Sequence, residues 1–128
     1  MVKNMKIQAS AEDYLEAILV LSKEKGMVRS VDVANYMGFS KPTISIIMKQ
    51  FRDNDYITID EGRHIHLTEK GEKIAQGIHE RHVVLSKVLM AIGVDEETAK
   101  ADACKIEHNI SQKTFECIKA YYGKVWVD

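Results

Sequence analysis

GFSKPTISIIMKQFRDNDYITIDEGRHIHLT, residues 38–68, is the stretch on which the fold turns. Ser40 stands where a helix N-cap would, and Pro42 falls in the first turn that follows, where a missing N–H costs nothing. Ile44, Ile47, Met48 and Phe51 recur at i, i+3, i+4 and i+7, so one face of this helix is apolar and points to a core. The opposite face carries Pro42, Ser45, Ile46, Lys49 and Gln50. After Asp53 the period changes. Tyr56, Ile57 and Ile59 alternate imperfectly, Gly62 marks a turn, and Ile65 and Leu67 resume the alternation, which is a β-hairpin pattern. His64 and His66 share one face of that hairpin and read as surface.

Upstream, residues 11–25 (AEDYLEAILVLSKEK) place Tyr14, Ile18 and Leu21 on one helical stripe that Gly26 ends. Ser10 is the expected N-cap, with Asp13 at the N3 position. A short helix is expected from Ser30 to Met37, stopped by Gly38. Helix, short helix, capped helix, hairpin is the order of a winged helix-turn-helix, with the Ser40–Asp53 helix in the place of the element that enters the major groove. Downstream, a long helical pattern runs from Thr68 to about Ile92 and ends at Gly93. Two shorter helices follow, roughly Asp95–Asn109 and Ser111–Tyr122. The expected fold is mainly α: a winged helix domain over residues 1–72 with a small hairpin wing, then an all-helical domain over 73–128.

The bulk numbers narrow the function. Hydrophobic residues make up 45% and charged residues 29%, the balance of an ordinary soluble domain. No apolar run approaches membrane-spanning length and the N-terminus lacks a signal-peptide core, so a cytoplasmic location with no membrane partner is expected. Two cysteines, Cys104 and Cys117, are too few for a disulfide framework. The net charge of −1 is not that of a protein that coats nucleic acid, so DNA contact must come from a local patch. Such a patch exists. Within Ser40–Arg52 every charge is positive, from Lys41, Lys49 and Arg52. Ser40, Lys41, Pro42, Thr43, Ser45 and Lys49 are the candidate DNA-binding residues, the short side chains of the first turns being able to reach phosphates or base edges. Ile46 could touch a thymine methyl. A solvated face that binds nothing is the plain alternative for one helix; the flanking helix and hairpin favour DNA. Asp53, Asp55, Asp60 and Glu61 offset the basic residues, so non-specific affinity should be weak.

A second constellation lies further on. Cys104, Glu107 and His108 sit three and four residues apart in a helical stretch, so a thiol, a carboxylate and an imidazole share one face. These side-chain types bind transition metals. Asp13 and Glu16 repeat the spacing near the N-terminus, and His79 and His82 repeat it on a third helix. Each group has an ordinary reading. A cysteine on an amphipathic helix is often a small core residue, Asp13 could complete a capping box, and the histidines could be exposed. The combination favours a metal site where helices meet. A hydrolase is disfavoured, because nearly every candidate polar group is used as a ligand and there is no HExxH motif.

Five stretches carry a resemblance to a known family: AEDYLEAILVL, GFSKPTISIIMKQF, YITIDEGRHIHLTEKG, ERHVVLSKVLMAIGVDEE and KIEHNIS. With their spacing, the chain resembles the diphtheria toxin repressor family of metal-dependent transcriptional repressors, and within it the shorter manganese-transport-regulator branch. The resemblance implies that Asp13, Glu16, His82, Cys104, Glu107 and His108 are metal ligands and that His79 is only a neighbour. It also implies a hybrid site. Asp13 stands where manganese regulators have aspartate and iron regulators methionine, whereas Cys104 stands where iron regulators have cysteine and manganese regulators glutamate. By the same resemblance Ser86 stands where the larger repressors place a glutamate of their ancillary site, so that site is expected to be absent in its usual form, and with the chain ending near Asp128 their SH3-like third domain is expected to be absent too.

The expectation is therefore a metal-dependent repressor, not an enzyme, that binds operator DNA as a homodimer and controls metal-homeostasis genes. Its activator would be Fe²⁺ or Mn²⁺, with Zn²⁺ or Co²⁺ able to bind in vitro. Residues 73–128 would carry metal binding and dimerisation. The alternative is a metal-independent winged-helix regulator that responds to a small molecule or to oxidation of Cys104.

Overall fold

The computed structural model describes residues 9–125, and the order of elements follows the sequence pattern. Helix α1 spans Ala9–Lys25, α2 Ser30–Met37 and α3 Lys41–Asp53. Strands β1 (Ile57–Ile59) and β2 (Ile65–Leu67) follow, then α4 (Glu69–Ala91), α5 (Glu96–Ile106) and α6 (Gln112–Val125). Two compact units result, Met1–Gln76 and Gly77–Asp128.

In the first unit the periodicities become a core. Tyr14, Leu15, Ile18 and Leu21 from α1 are buried with Val33 and Ala34 from α2 and Ile44, Met48 and Phe51 from α3. Ile47 packs on this core half-buried. The ring of Phe51 meets Tyr14 and Tyr56 edge-on, at 6.2 and 6.1 Å between centroids, the offset geometry aromatic quadrupoles prefer. Gly38 takes a left-handed φ of 78° that ends α2. Ser40 Oγ accepts the Thr43 N–H at 3.3 Å and so caps α3, with Pro42 in the first turn as expected.

The hairpin is antiparallel, with Ile57 opposite Leu67 and Ile59 opposite Ile65. Its buried face carries Ile57 and Ile65, and the Ile65 N–H donates to Val28 O at 2.7 Å, tying β2 to the segment after α1. Thr68 closes the wing. Its N–H donates to Tyr56 O, its hydroxyl donates to Asp55 O, and the same hydroxyl accepts the Gly71 N–H as the cap of α4. Gly71 is required there, since a Cβ would lie 2.1 Å from Tyr56 O.

The second unit holds most of α4 with α5 and α6. Ile78, Leu85, Ala99, Ala103 and Phe115 are its buried apolar residues. Two details depart from the sequence reading. The helix expected to reach Asn109 ends at Ile106, with Glu107, His108 and Asn109 in a turn that still carries a Glu107 N–H to Ala103 O bond of 2.9 Å. The physical reason is local competition: the Asn109 amide bonds Lys105 O at 2.6 Å, and Ser111 opens α6 by accepting the Thr114 N–H. The helix α1 includes Ser10 rather than starting after it, so the expected cap falls inside the helix; the Ser10 side chain lies outside the described residues.

Candidate metal centre

His82 projects from α4 toward the C-terminal end of α5. Its Nδ1 lies 3.0 Å from Glu107 Oε1 and 3.7 Å from Cys104 Sγ. Donors that share one ion at bond lengths of about 2.0–2.3 Å stand roughly 3–3.7 Å apart at tetrahedral or octahedral angles. The observed separations fall in that range, and His82, Cys104 and Glu107 form a group of ligand-type atoms all within 4.8 Å of one another. His108 approaches from the other side, with Nε2 3.4 Å from Glu107 Oε2.

Glu107 decides what this arrangement can do. Its side chain is wholly buried, and its Oε2 has no hydrogen-bond partner. An unpaired buried polar atom costs about 1–3 kcal/mol, more when charged. Two imidazoles flank the carboxylate, and neutral imidazole is the form that binds metal. The donor set of one carboxylate, two imidazoles and one thiol, around a buried carboxylate oxygen that accepts no hydrogen bond and has only the His108 ring 3.4 Å away, therefore fits a divalent transition metal. Cys104 is exposed and neither it nor Cys117 is in a disulfide, so the thiol can be reached from solvent.

The other expected ligands are placed as follows. Asp13 and Glu16 are half-buried on α1, in the first unit. His79 is half-buried on α4, one turn before His82, and is outside the ligand group of the second unit. Ser86 is buried one turn after His82, and its hydroxyl also lacks a partner. Arg81 was not visible as a functional residue in the sequence. It donates to the main-chain oxygens of Glu107 and Ile110 and to the side-chain oxygen of Gln112, partners that no residue pattern announces.

On the first unit, Lys41, Pro42, Thr43, Ser45, Ile46 and Lys49 are all exposed along α3, and Ile46 is 60% exposed despite its apolar side chain. Ser40 and Thr43 also bond each other through their hydroxyls at 2.8 Å. The wing is more ordered electrostatically than alternation implied. Asp60 Oδ1 accepts the His64 N–H at 2.8 Å, and Oδ2 stands 3.0 Å from His66 Nε2. Those bonds, from the His66 ring first and the His64 amide second, pull the Asp60 carboxyl down to about 2. Arg29 Nε reaches His64 Nε2 at 3.4 Å, so His64 is part of a network rather than plain surface.

Comparisons with known proteins identify the family. Residues 6–65 match the family described as "Iron dependent repressor, N-terminal DNA binding domain", and residues 68–128 match "Iron dependent repressor, metal binding and dimerisation domain". The transcriptional regulator MntR of Salmonella typhimurium is 37% identical over 110 residues, covering 86% of this chain and 70% of that protein. The HTH-type transcriptional regulator MntR of Bacillus subtilis is 34% identical over 109 residues, covering 85% and 77%. Among solved structures, the manganese regulator SloR superposes with a TM-score of 0.77 at 24% identity, over 93% of this chain and 55% of that one. A manganese-dependent transcriptional repressor in complex with manganese gives 0.78 at 24% identity, over 88% and 52%. At those identities the superpositions speak for the fold.

Proposed function

The chain belongs to the iron-dependent repressor family, and from that premise we propose that it is a repressor switched on by Fe²⁺ or Mn²⁺, acting on operator DNA as a homodimer in the cytoplasm. It is a regulator, not an enzyme. The observation that carries the proposal is the buried Glu107 carboxylate, whose Oε2 accepts no hydrogen bond and which is set against His82, Cys104 and His108. A divalent cation there supplies the positive charge that a buried carboxylate needs and a fixed geometry for its donors.

The chain's own residues do the rest. Glu107, His82, Cys104 and His108 form the part of the site within residues 73–128. Asp13 and Glu16, on the first helix of the DNA-binding domain (residues 1–72), complete the ligand set. As carboxylates, Asp13, Glu16 and Glu107 repel one another, and a divalent cation bound among them reverses that repulsion. That requirement couples the reading helix to the metal domain. In a two-fold dimer it sets the separation of two α3 helices against half-sites roughly 34 Å apart. Lys41 and Lys49 hold phosphates, while Thr43, Ser45 and Pro42, behind the Ser40 cap, stand nearest the base edges. No described helix is long and apolar enough to cross a membrane. The thiolate of Cys104 draws preference toward softer ions, the carboxylates toward Mn²⁺, and Fe²⁺ sits between them.

The test is DNA binding titrated with each metal in wild type and Glu107→Gln, which keeps the shape and removes the charge. Metal affinity is expected to fall at least the roughly 100-fold that losing an outer partner can cost, with operator binding losing its metal dependence. Wild-type DNA binding that ignores metal and follows Cys104 oxidation would replace this reading with a redox regulator.

A further inference from the structure

Two ligand-type residues of the second unit, Glu107 and His108, lie beyond Ile106, the last residue of α5. A helix end leaves its final carbonyls without intrahelical partners and frays over about one turn. Glu107 Oε1, which stands 3.0 Å from His82 Nδ1, would not keep that separation under such motion. Arg81 supplies the missing restraint. Its Nη1 donates to the carbonyl oxygens of Glu107 and Ile110, each at 2.9 Å, and its Nη2 donates to Gln112 Oε1 at 2.9 Å. Its guanidinium lies over the ring of Phe115, 5.4 Å from the centroid, and Phe115 is buried. Arg81 is also the residue immediately before His82. A planar, pre-organised fork thus ties the backbone beside the imidazole to the backbone that bears the carboxylate.

We propose that Arg81 is a positioning residue of the metal centre, fixing Glu107 relative to His82 and thereby setting which metals the site prefers. The proposal rests on the metal reading above. Arg81 bonds the main-chain oxygen of Glu107, not its carboxylate, so the carboxylate keeps its lone pairs for a metal. Cys104 lies inside α5, and its place does not depend on the turn. Without the Arg81 fork, His82 and Cys104 remain a soft nitrogen–sulfur pair, while the hard oxygen donor of Glu107 is no longer held. Metals that need oxygen ligands lose most.

The full chain is compared as wild type, Arg81→Met, Arg81→Lys and Ala99→Gly. Methionine keeps apolar cover over Phe115 without the fork, and lysine keeps the charge without the fork. Ala99→Gly loosens α5 away from the site and reports what destabilisation alone does. Affinities for Mn²⁺ and Zn²⁺ are measured by chelator competition, the Co²⁺ form by visible absorption, and the metal-free protein by amide exchange at Glu107, His108 and Asn109. In Arg81→Met we expect Mn²⁺ affinity to fall more than tenfold and Zn²⁺ affinity less than threefold. The Co²⁺ d–d bands shift while the thiolate-to-cobalt band persists, and the three amides exchange faster without metal. Arg81→Lys moves the same way, and carries the test if the methionine variant does not fold. A wild-type ratio of Mn²⁺ to Zn²⁺ affinity in both variants overturns the proposal, as does an equal change of ratio in Ala99→Gly. Wild type that takes up no metal overturns the metal reading itself, and this inference with it.

Discussion

Cys104 stands 3.7 Å from His82 Nδ1 on an exposed turn of α5, and it is the softest donor near the buried Glu107. Its neighbours are an imidazole and a carboxylate, so the metal ranking of the site is expected to hang on this one thiol. Cys104→Glu makes the donor set all oxygen and nitrogen. Activation by Mn²⁺ is expected to rise relative to Zn²⁺ and Co²⁺, read as operator binding at matched metal occupancy. An unchanged ranking would make Cys104 a bystander. Cys104, Glu107 and His108 were legible as a ligand-like trio from i, i+3, i+4 spacing. Burial of Glu107 was not, because a carboxylate at the end of an amphipathic helix is ordinarily solvated.

The third helix and the wing carry the predictions that belong to whole elements. Lys49 is exposed on the outer face of α3, while Met48 and Phe51 on the inner face are buried. Lys49→Ala should leave the melting temperature unchanged, weaken binding similarly across sequences, and lower the salt slope by roughly one unit. Equal affinity for wild type and variant across a salt titration would remove α3 as the reading head. The wing adds a pH dependence. In the folded chain the Asp60 carboxyl lies at about 2, below its ordinary value of 3.8. A group lowered on folding stabilises above its unfolded value and loses that contribution as pH falls through the folded one. The wing should therefore loosen between about pH 4 and 2, seen as faster exchange of the His64 amide. Asp60→Asn should flatten that acid limb; the same limb in both proteins would assign the loosening elsewhere. The hairpin itself was legible from alternation and Gly62. The Asp60–His66–His64–Arg29 network was not, since it joins residues 35 positions apart in sequence.

At the scale of the molecule, the proposed ligands divide between two domains, Asp13 and Glu16 in one and Glu107, His82, Cys104 and His108 in the other. Substituting the first pair should separate two events that wild type couples. Asp13→Ala with Glu16→Ala is expected to retain metal uptake by residues 73–128, measured by Co²⁺ absorption, while losing at least tenfold of the metal-induced gain in operator affinity, about 1.4 kcal/mol of coupling. A double variant that still gains full affinity with metal would show that the first helix takes no part in the switch. Chelation of wild type should reverse the gain. It should also lower the melting temperature, by an amount that grows with the logarithm of the metal affinity, since a ligand at 100 times its Kd adds about 2.7 kcal/mol of stability.

The sequence alone determined the element order and much of the first unit's core, because both rest on local periods. Ile44, Met48 and Phe51 recur at helical spacing, Ile57 and Ile65 fall on one face of a hairpin, and Gly38 and Ser40 punctuate by backbone chemistry that needs no distant partner. It also announced most of the ligand-like residues, since helical spacing puts Cys104 beside Glu107 and His108. The tertiary structure decided the rest. Only packing of α5 against α4 sets His82 Nδ1 3.0 Å from Glu107 Oε1, buries that carboxylate and leaves its second oxygen without a hydrogen bond. Only the turn after Ile106 creates the carbonyls that Arg81 holds. Both depend on contacts between side chains and backbone far apart in sequence, and no local period encodes those distances.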